Sequence, residues 1–235
     1  MNKMVITLIT SLLLISGCSN PTESNEPAIV QEWVFVANEG NFGASNGSIS
    51  MINQEGIVLE VTEVGDVVQS LEVYENKLIV VVNNSHMIKV YDITEDGLAL
   101  PGIEVSTDNS GPRELVVVGD KVYFTNWNTQ DVKVLNMINY NIETSISVDG
   151  LPESIVTDGS YLWVGIMMNE DYSSASSVVK IDVNTNSIVE TYEVGLGPQS
   201  LVIENNDVYV ARTFYDENWV SFHGSSKISQ SEVTM

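Results

Sequence analysis

The chain has 235 residues, of which 43% are hydrophobic, enough to bury the core of one ordinary domain. Its 32 acidic and nine basic residues leave a formal charge of −23, a surface that repels phosphate backbones and anionic headgroups and argues against nucleic acid as a partner. Cys18 is the single cysteine, so no disulfide can form within the chain.

The N-terminus reads as an export signal over residues 1–17. Lys3 supplies the positive start, and an uncharged apolar stretch runs from Met4 to Ile15. That stretch is too short to cross ~30 Å of hydrocarbon, which needs ~20 residues. Leu14-Ile-Ser-Gly-Cys18 follows and resembles a bacterial lipobox, which implies a lipid on the Cys18 thiol and an anchored rather than a soluble protein. By the rules of such lipoproteins, Ser19 after the cysteine implies the outer membrane of a two-membrane cell. Residues 18–31 are rich in Ser, Asn, Pro, Thr and Glu and are expected to form a flexible tether.

From Trp33 onward a pattern returns. An alternating apolar run begins at Val34, Leu78, Val122, Leu162 and Val208, with steps of 44, 44, 40 and 46 residues. Leu71, Leu115, Ile155 and Leu201 keep the same spacing, and the last three each follow a proline (Pro112, Pro152, Pro198) by three residues. Each unit divides at turn residues into four short strands, A to D. In the fourth unit these are Pro152–Val156, Tyr161–Gly165, Val178–Asp182 and Ile188–Val194. A repeat of this length with four strands per unit predicts an all-β fold, a β-propeller of four-stranded antiparallel blades. The units are expected at about 32–64, 65–105, 106–148, 149–194 and 195–235. The first lacks a strand A and the last is incomplete, so about four and a half blades are present.

Gly150-Leu-Pro152-Glu-Ser-Ile155, Tyr161-Leu-Trp-Val164 and Val179-Lys-Ile-Asp182-Val-Asn-Thr-Asn186-Ser-Ile-Val189 together resemble the YVTN-type propeller repeat. So do Lys121-Val-Tyr-Phe-Thr-Asn126 and Trp33-Val-Phe-Val-Ala-Asn38. The resemblance spans residues 32–235 and places the chain near surface-layer and quinoprotein-like propellers. It departs at Val68, which stands where the other units have proline, and at Arg212, which replaces the strand-B asparagine. YVTN-type propellers typically have seven blades. The resemblance therefore implies a truncated seven-bladed ring, with a five-bladed closure as the alternative.

Strand direction alternates, so the B–C loops and D–A connections emerge on one face. The B–C loops are expected at 39–47, 84–87, 127–130, 167–177 and 213–225, longer and chemically richer than the turns of the opposite face. They bring aromatic rings and hydrogen-bonding groups to one surface. The candidate ligand-binding residues there are Asn38, Glu39, Phe42, Asn126, Trp127, Arg212, Tyr215, Trp219 and His223, joined near the axis by Arg113, Glu153 and Gln199.

Sharper chemical signals are weak. Asp182-Val-Asn-Thr-Asn186-Ser187 resembles a calcium loop but lacks the glycine at its sixth position and reads as a C–D turn. His86 and His223 share the loop face in non-adjacent blades, and no phosphate loop or nucleophile elbow occurs. No catalytic residue, metal or cofactor is therefore assigned. The reading is a lipid-anchored cell-envelope propeller that binds an envelope protein, peptide or carbohydrate through its B–C face. The alternatives are an axial-pocket enzyme, either a quinoprotein-like oxidoreductase or a metal-assisted lyase, and a structural surface-layer protein.

Overall fold

A computed structural model describes residues 32–235; the export signal, Cys18 and the tether lie outside the described residues. The described residues contain strands and no helix, arranged as five antiparallel sheets taken in chain order. The first is β1 (Trp33–Asn38), β2 (Gly47–Asn53) and β3 (Val58–Gly65). The second runs β4 (Val68–Tyr74), β5 (Lys77–Val82) and β6 (Met87–Thr94), its outer edge shared by β7 (Gly97–Leu98) and β8 (Ile103–Ser106), both paired with β6. The third is β9 (Pro112–Val118), β10 (Lys121–Asn126), β11 (Asp131–Asn136) and β12 (Ile142–Ser147). The fourth is β13 (Leu151–Thr157), β14 (Tyr161–Met168), β15 (Ser174–Asp182) and β16 (Ser187–Glu193). The fifth is β17 (Pro198–Glu204), β18 (Asp207–Tyr215), β19 (Ser221–Ser229) and the three-residue β20 (Glu232–Thr234).

Sequential strands pair in each sheet, as a propeller blade requires, except that β8 joins β6 rather than β7 in the second. Two-residue turns close several hairpins. Asn205-Asn206 and Gln230-Ser231 hold both residues at positive φ, the twist that suits right-handed strands.

The core lies between blades. Ile49, Met51 and Val64 of the first sheet meet Leu78, Val80 and Val82 of the second. Ile79, Val81 and Ile88 of the second meet Val122 and Phe124 of the third. Tyr123, Val132 and Val134 of the third meet Leu162, Val164 and Ile166 of the fourth. Trp163, Val178 and Tyr192 of the fourth meet Val208, Val210 and Ile228 of the fifth. The middle strands are thus buried on both faces, which explains why their apolar residues run without a polar alternate. Among the described residues no apolar cluster joins the fifth sheet to the first.

The structure corrects two expected loops. Residues 213–225 are not a loop: β18 and β19 pair without interruption from Val208–Ile228 to Tyr215–Ser221, leaving a short tip at 216–220. Tyr215 and His223 therefore stand on strands. Phe214 and Phe222 stack across the hairpin with centroids 5.5 Å apart, and such β-prone cross-strand pairs extend a ladder beyond the blade. The loop expected at 167–177 shrinks likewise, because β14 continues to Met168 and β15 begins at Ser174.

Candidate functional site

Near the start of the inner strands of the second, third and fourth blades, the residues following the proline position, Gln69, Arg113 and Glu153, come together. Arg113 joins three blades: its Nε and Nη2 donate to the Glu153 carboxylate at 2.9 and 2.7 Å, and its Nη1 donates to Gln69 Oε1 at 3.1 Å. The Trp127 ring lies 4.4 Å from the guanidinium carbon, a cation–π contact. Beside this pair, burial and then the nearby Glu153 carboxylate raise the Glu114 carboxyl above its ordinary range. Thr125 Oγ1 donates to the Glu153 carbonyl at 2.8 Å, so the rim is also tied through its backbone. Arg113 and Glu153 thus satisfy one another, while the buried Trp127 Nε1 has no hydrogen-bond partner among the described residues. Gln199, exposed on β17, has no hydrogen bond to them among the described residues.

Several candidates are engaged in holding loops. Asn38 Nδ2 donates to Ser48 and Ser50 Oγ at 3.1 and 2.9 Å across the first hairpin. The Glu39 carbonyl accepts from the Val68 amide, and Phe42 is exposed at the loop tip. Asn126 is fully buried, accepting from Ser110 Oγ and donating to the carbonyls of Phe124 and Asp131. His86 is occupied too, its Nδ1 accepting from the Gly111 amide at 3.1 Å. Asp66, unnoticed in the sequence, organises the first loop by accepting from the Gly43 amide and, at 2.6 Å, from Asn84 Nδ2.

Between the fourth and fifth blades the loop face opens into a groove of about 430 Å³. Met168, Tyr172 and Ser174 line it from the fourth blade, Leu196 from the connection that follows, and Tyr215, Asp216, Glu217 and Trp219 from the fifth. The Tyr215 and Trp219 rings lie 6.3 Å apart at 52°, an angled pair. Both sides are built by the same local device. In the second to fifth blades the B–C turn ends in a left-handed residue whose amide donates back three residues: His86, Gln130, Tyr172 and Trp219. A bulky side chain is rare in that conformation, where glycine or asparagine is more stable. Only the last two blades place a Tyr or Trp ring there, and those two rings line one groove. Tyr172 also borders a polar hollow of about 370 Å³ lined by Trp127, Gln130 and Glu170.

The groove is acidic. Asp216 and Glu217 line it, no basic side chain does among the described residues, and Asp171 stands in the adjoining loop, where hydrogen bonds from Ser173 hold its carboxyl below the ordinary range. Arg212 lies apart from the groove lining, with its guanidinium between Gly195 and Gly224 and its buried Nε without a partner among the described residues. His223 Nδ1 is 3.3 Å from Thr213 Oγ1, farther down the same hairpin. Among the described residues no three His, Cys, Asp or Glu side chains are placed to hold a metal ion. Asp182 Oδ1 accepts from the amides of Asn184 and Thr185, closing the β15–β16 hairpin in the stretch that resembles a calcium loop.

Of the sequence candidates, Tyr215 and Trp219 come together, and Arg113, Glu153 and Trp127 come together. The remaining ones are dispersed. Leu196, Asp216 and Glu217 complete the groove without having been singled out as ligand contacts. Aligning the repeats at the left-handed turn position is the signal that finds Tyr172 and Trp219 as a pair.

No protein-family model and no curated protein matches this chain. Its structure is similar to hydrazine synthase of Kuenenia stuttgartiensis, at 16% identity and a TM-score of 0.63, covering 78% of this chain and 57% of that one. It is also similar to the Pan2 WD40 domain of Neurospora crassa, at 10% identity and a TM-score of 0.58, covering 84% and 58%. A dihydro-heme d1 dehydrogenase, NirN, is matched at 11% identity and a TM-score of 0.58, covering 81% and 45%. The chain thus spans about half the length of these structures. Identities this low show architecture alone: the chain has the fold of a β-propeller.

Proposed function

We propose that this protein is a lipid-anchored cell-envelope binding module that takes an organic cation, free or carried on a peptide, in the groove between its fourth and fifth blades. The observation that carries the reading is the meeting of Tyr172, Tyr215 and Trp219 with Asp216 and Glu217 in one open groove that no basic side chain lines among the described residues. Ring faces attract ammonium and guanidinium groups by about 0.5–2 kcal/mol each, and adjacent carboxylates add direct charge attraction. The net charge of −23 draws cations toward the same surface. The anchoring part of the reading rests on the lipobox at Cys18.

Titration of the full chain with tetramethylammonium and with a hexalysine peptide, followed by calorimetry, tests the groove. Both should bind, more weakly as salt rises, and Trp219→Ala or Tyr172→Ala should weaken them at least tenfold. Binding of a neutral oligosaccharide such as maltohexaose in their place would keep the groove and reject the cation. Binding of neither would reject the groove. For the anchor, Cys18→Ala should move the protein from the membrane to the soluble fraction.

A further inference from the structure

Tyr172 lines two hollows: the groove between the fourth and fifth blades, and the polar hollow of about 370 Å³ between the third and fourth. Strand pairing sets them side by side. Leu151 lines the hollow and its ladder partner Met168 lines the groove, a pair about 5 Å apart in an antiparallel sheet. The two are successive gaps between packed sheets, so their centres lie roughly 10 Å apart. Each holds an exposed acidic group without a countercharge. Asp216 and Glu217 in the groove and Glu170 in the hollow take part in none of the ion pairs among the described residues. Arg113 stacks on the Trp127 ring but does not line the hollow, and the Glu153 fork meets its charge. Gln130, which also lines the hollow, is held through its backbone, its amide donating to the Trp127 carbonyl and its carbonyl accepting from the Val148 amide. Its side-chain amide is unengaged among the described residues.

Building on the cation reading of the groove, we infer that the ligand is an extended peptide segment carrying two basic side chains. One enters the groove beside Tyr215, Trp219 and Glu217, the other enters the hollow beside Glu170, and the backbone crosses the β14–β15 tip at Tyr172. In an extended chain, residues two and four apart share a face and stand about 7 and 13 Å apart, which brackets the distance between the hollows. The side-chain amide of Gln130 pairs with a peptide group, a recognition that a bare polyamine does not offer. Two weak contacts on one chain reinforce each other, because the second forms at the high effective concentration set by the first.

Calorimetry of the full chain with capped glycine–serine peptides tests this, one peptide carrying a single lysine and others two lysines, two or four residues apart. The second lysine should tighten binding at least about tenfold at one of these spacings. Glu170→Gln should remove most of that gain, whereas Glu95→Gln, exposed in the β6–β7 turn and lining neither hollow, should preserve it. No gain from the second lysine, a gain that Glu170→Gln spares, or an equal loss in both variants would overturn the proposal. Spermine bound more tightly than either two-lysine peptide would overturn it in favour of a polyamine. Tetramethylammonium separates these outcomes from failure of the groove. Its binding to the parent chain keeps the groove whatever the peptides do, and its absence rejects the groove and this extension together.

Discussion

Arg113 and Glu153 form a forked ion pair, 2.9 and 2.7 Å long, that fastens the inner strand of the third blade to that of the fourth. Both side chains are largely buried, and the guanidinium is further held by Gln69 and the Trp127 ring. Removing one partner strands the other charge in a poorly solvated rim. Breaking a fully buried pair costs about 3–5 kcal/mol, and partial exposure lowers the expectation for Glu153→Leu to about 2–3 kcal/mol. The double variant R113M/E153L should cost less than either single change. Urea denaturation of the two singles and the double closes the cycle, and additive losses would show that the pair is not coupled.

Glu114 should make the fold respond to pH in the opposite sense to most carboxylates. Burial and the neighbouring Glu153 raise its folded-state pKa above the unfolded value. The folded chain then holds the proton more tightly. That contribution is complete below the ordinary carboxylate pKa and is lost as pH rises through the raised value. Glu114→Gln keeps an acceptor for the Ile155 amide and removes the charge. It should raise the melting temperature at pH 7, with the gain vanishing near pH 4. An equal gain at both values would mean the carboxylate charge is not the cause.

Gly197 is wedged where the fifth blade begins. Its φ of 70° lies in the left-handed region, and an added Cβ would lie 2.0 Å from the Thr213 carbonyl oxygen. Its amide donates to the Ala175 carbonyl, and its carbonyl accepts from the Thr213 amide, each at 2.8 Å. Gly197→Ala should destabilise the chain by more than ~1 kcal/mol and, by shifting Leu196, weaken cation binding in the adjoining groove. Calorimetric melting and the tetramethylammonium titration read the two effects separately.

Phe124 is fully buried between the second and third blades. Phe124→Ala should cost about 3–5 kcal/mol, since a rigid inter-blade core collapses little around the cavity. The exposed Val202, truncated to alanine, should change stability by about 0.5 kcal/mol or less. Denaturant midpoints for both variants check the contrast, and similar losses would contradict the assignment of buried and exposed positions.

The arc of blades was legible because inter-blade burial writes itself into local sequence. Every middle strand needs apolar residues of both parities, and the same need recurs every 40 to 46 residues. The site was less legible because polar residue types do not reveal their partners. Asn38 and Asn126 have the same chemistry as ligand contacts, yet both are spent on hydrogen bonds inside their blades. Tyr215 and Trp219 were visible as exposed aromatics, but their groove needs Tyr172 and Leu196 from the fourth blade and the connection that follows it.

The amino-acid sequence by itself determined the repeat, the strand order within each blade and the faces that pack, since these follow from alternation and turn chemistry over a few residues. Only the tertiary structure decided that β18 and β19 extend into a hairpin, that Arg113 meets Glu153, and that the rings of two left-handed turns line one groove. The Arg113–Glu153 contact and the groove depend on the rotation between neighbouring blades. That rotation is set by how whole inter-blade cores interlock, and no single segment of the chain encodes it.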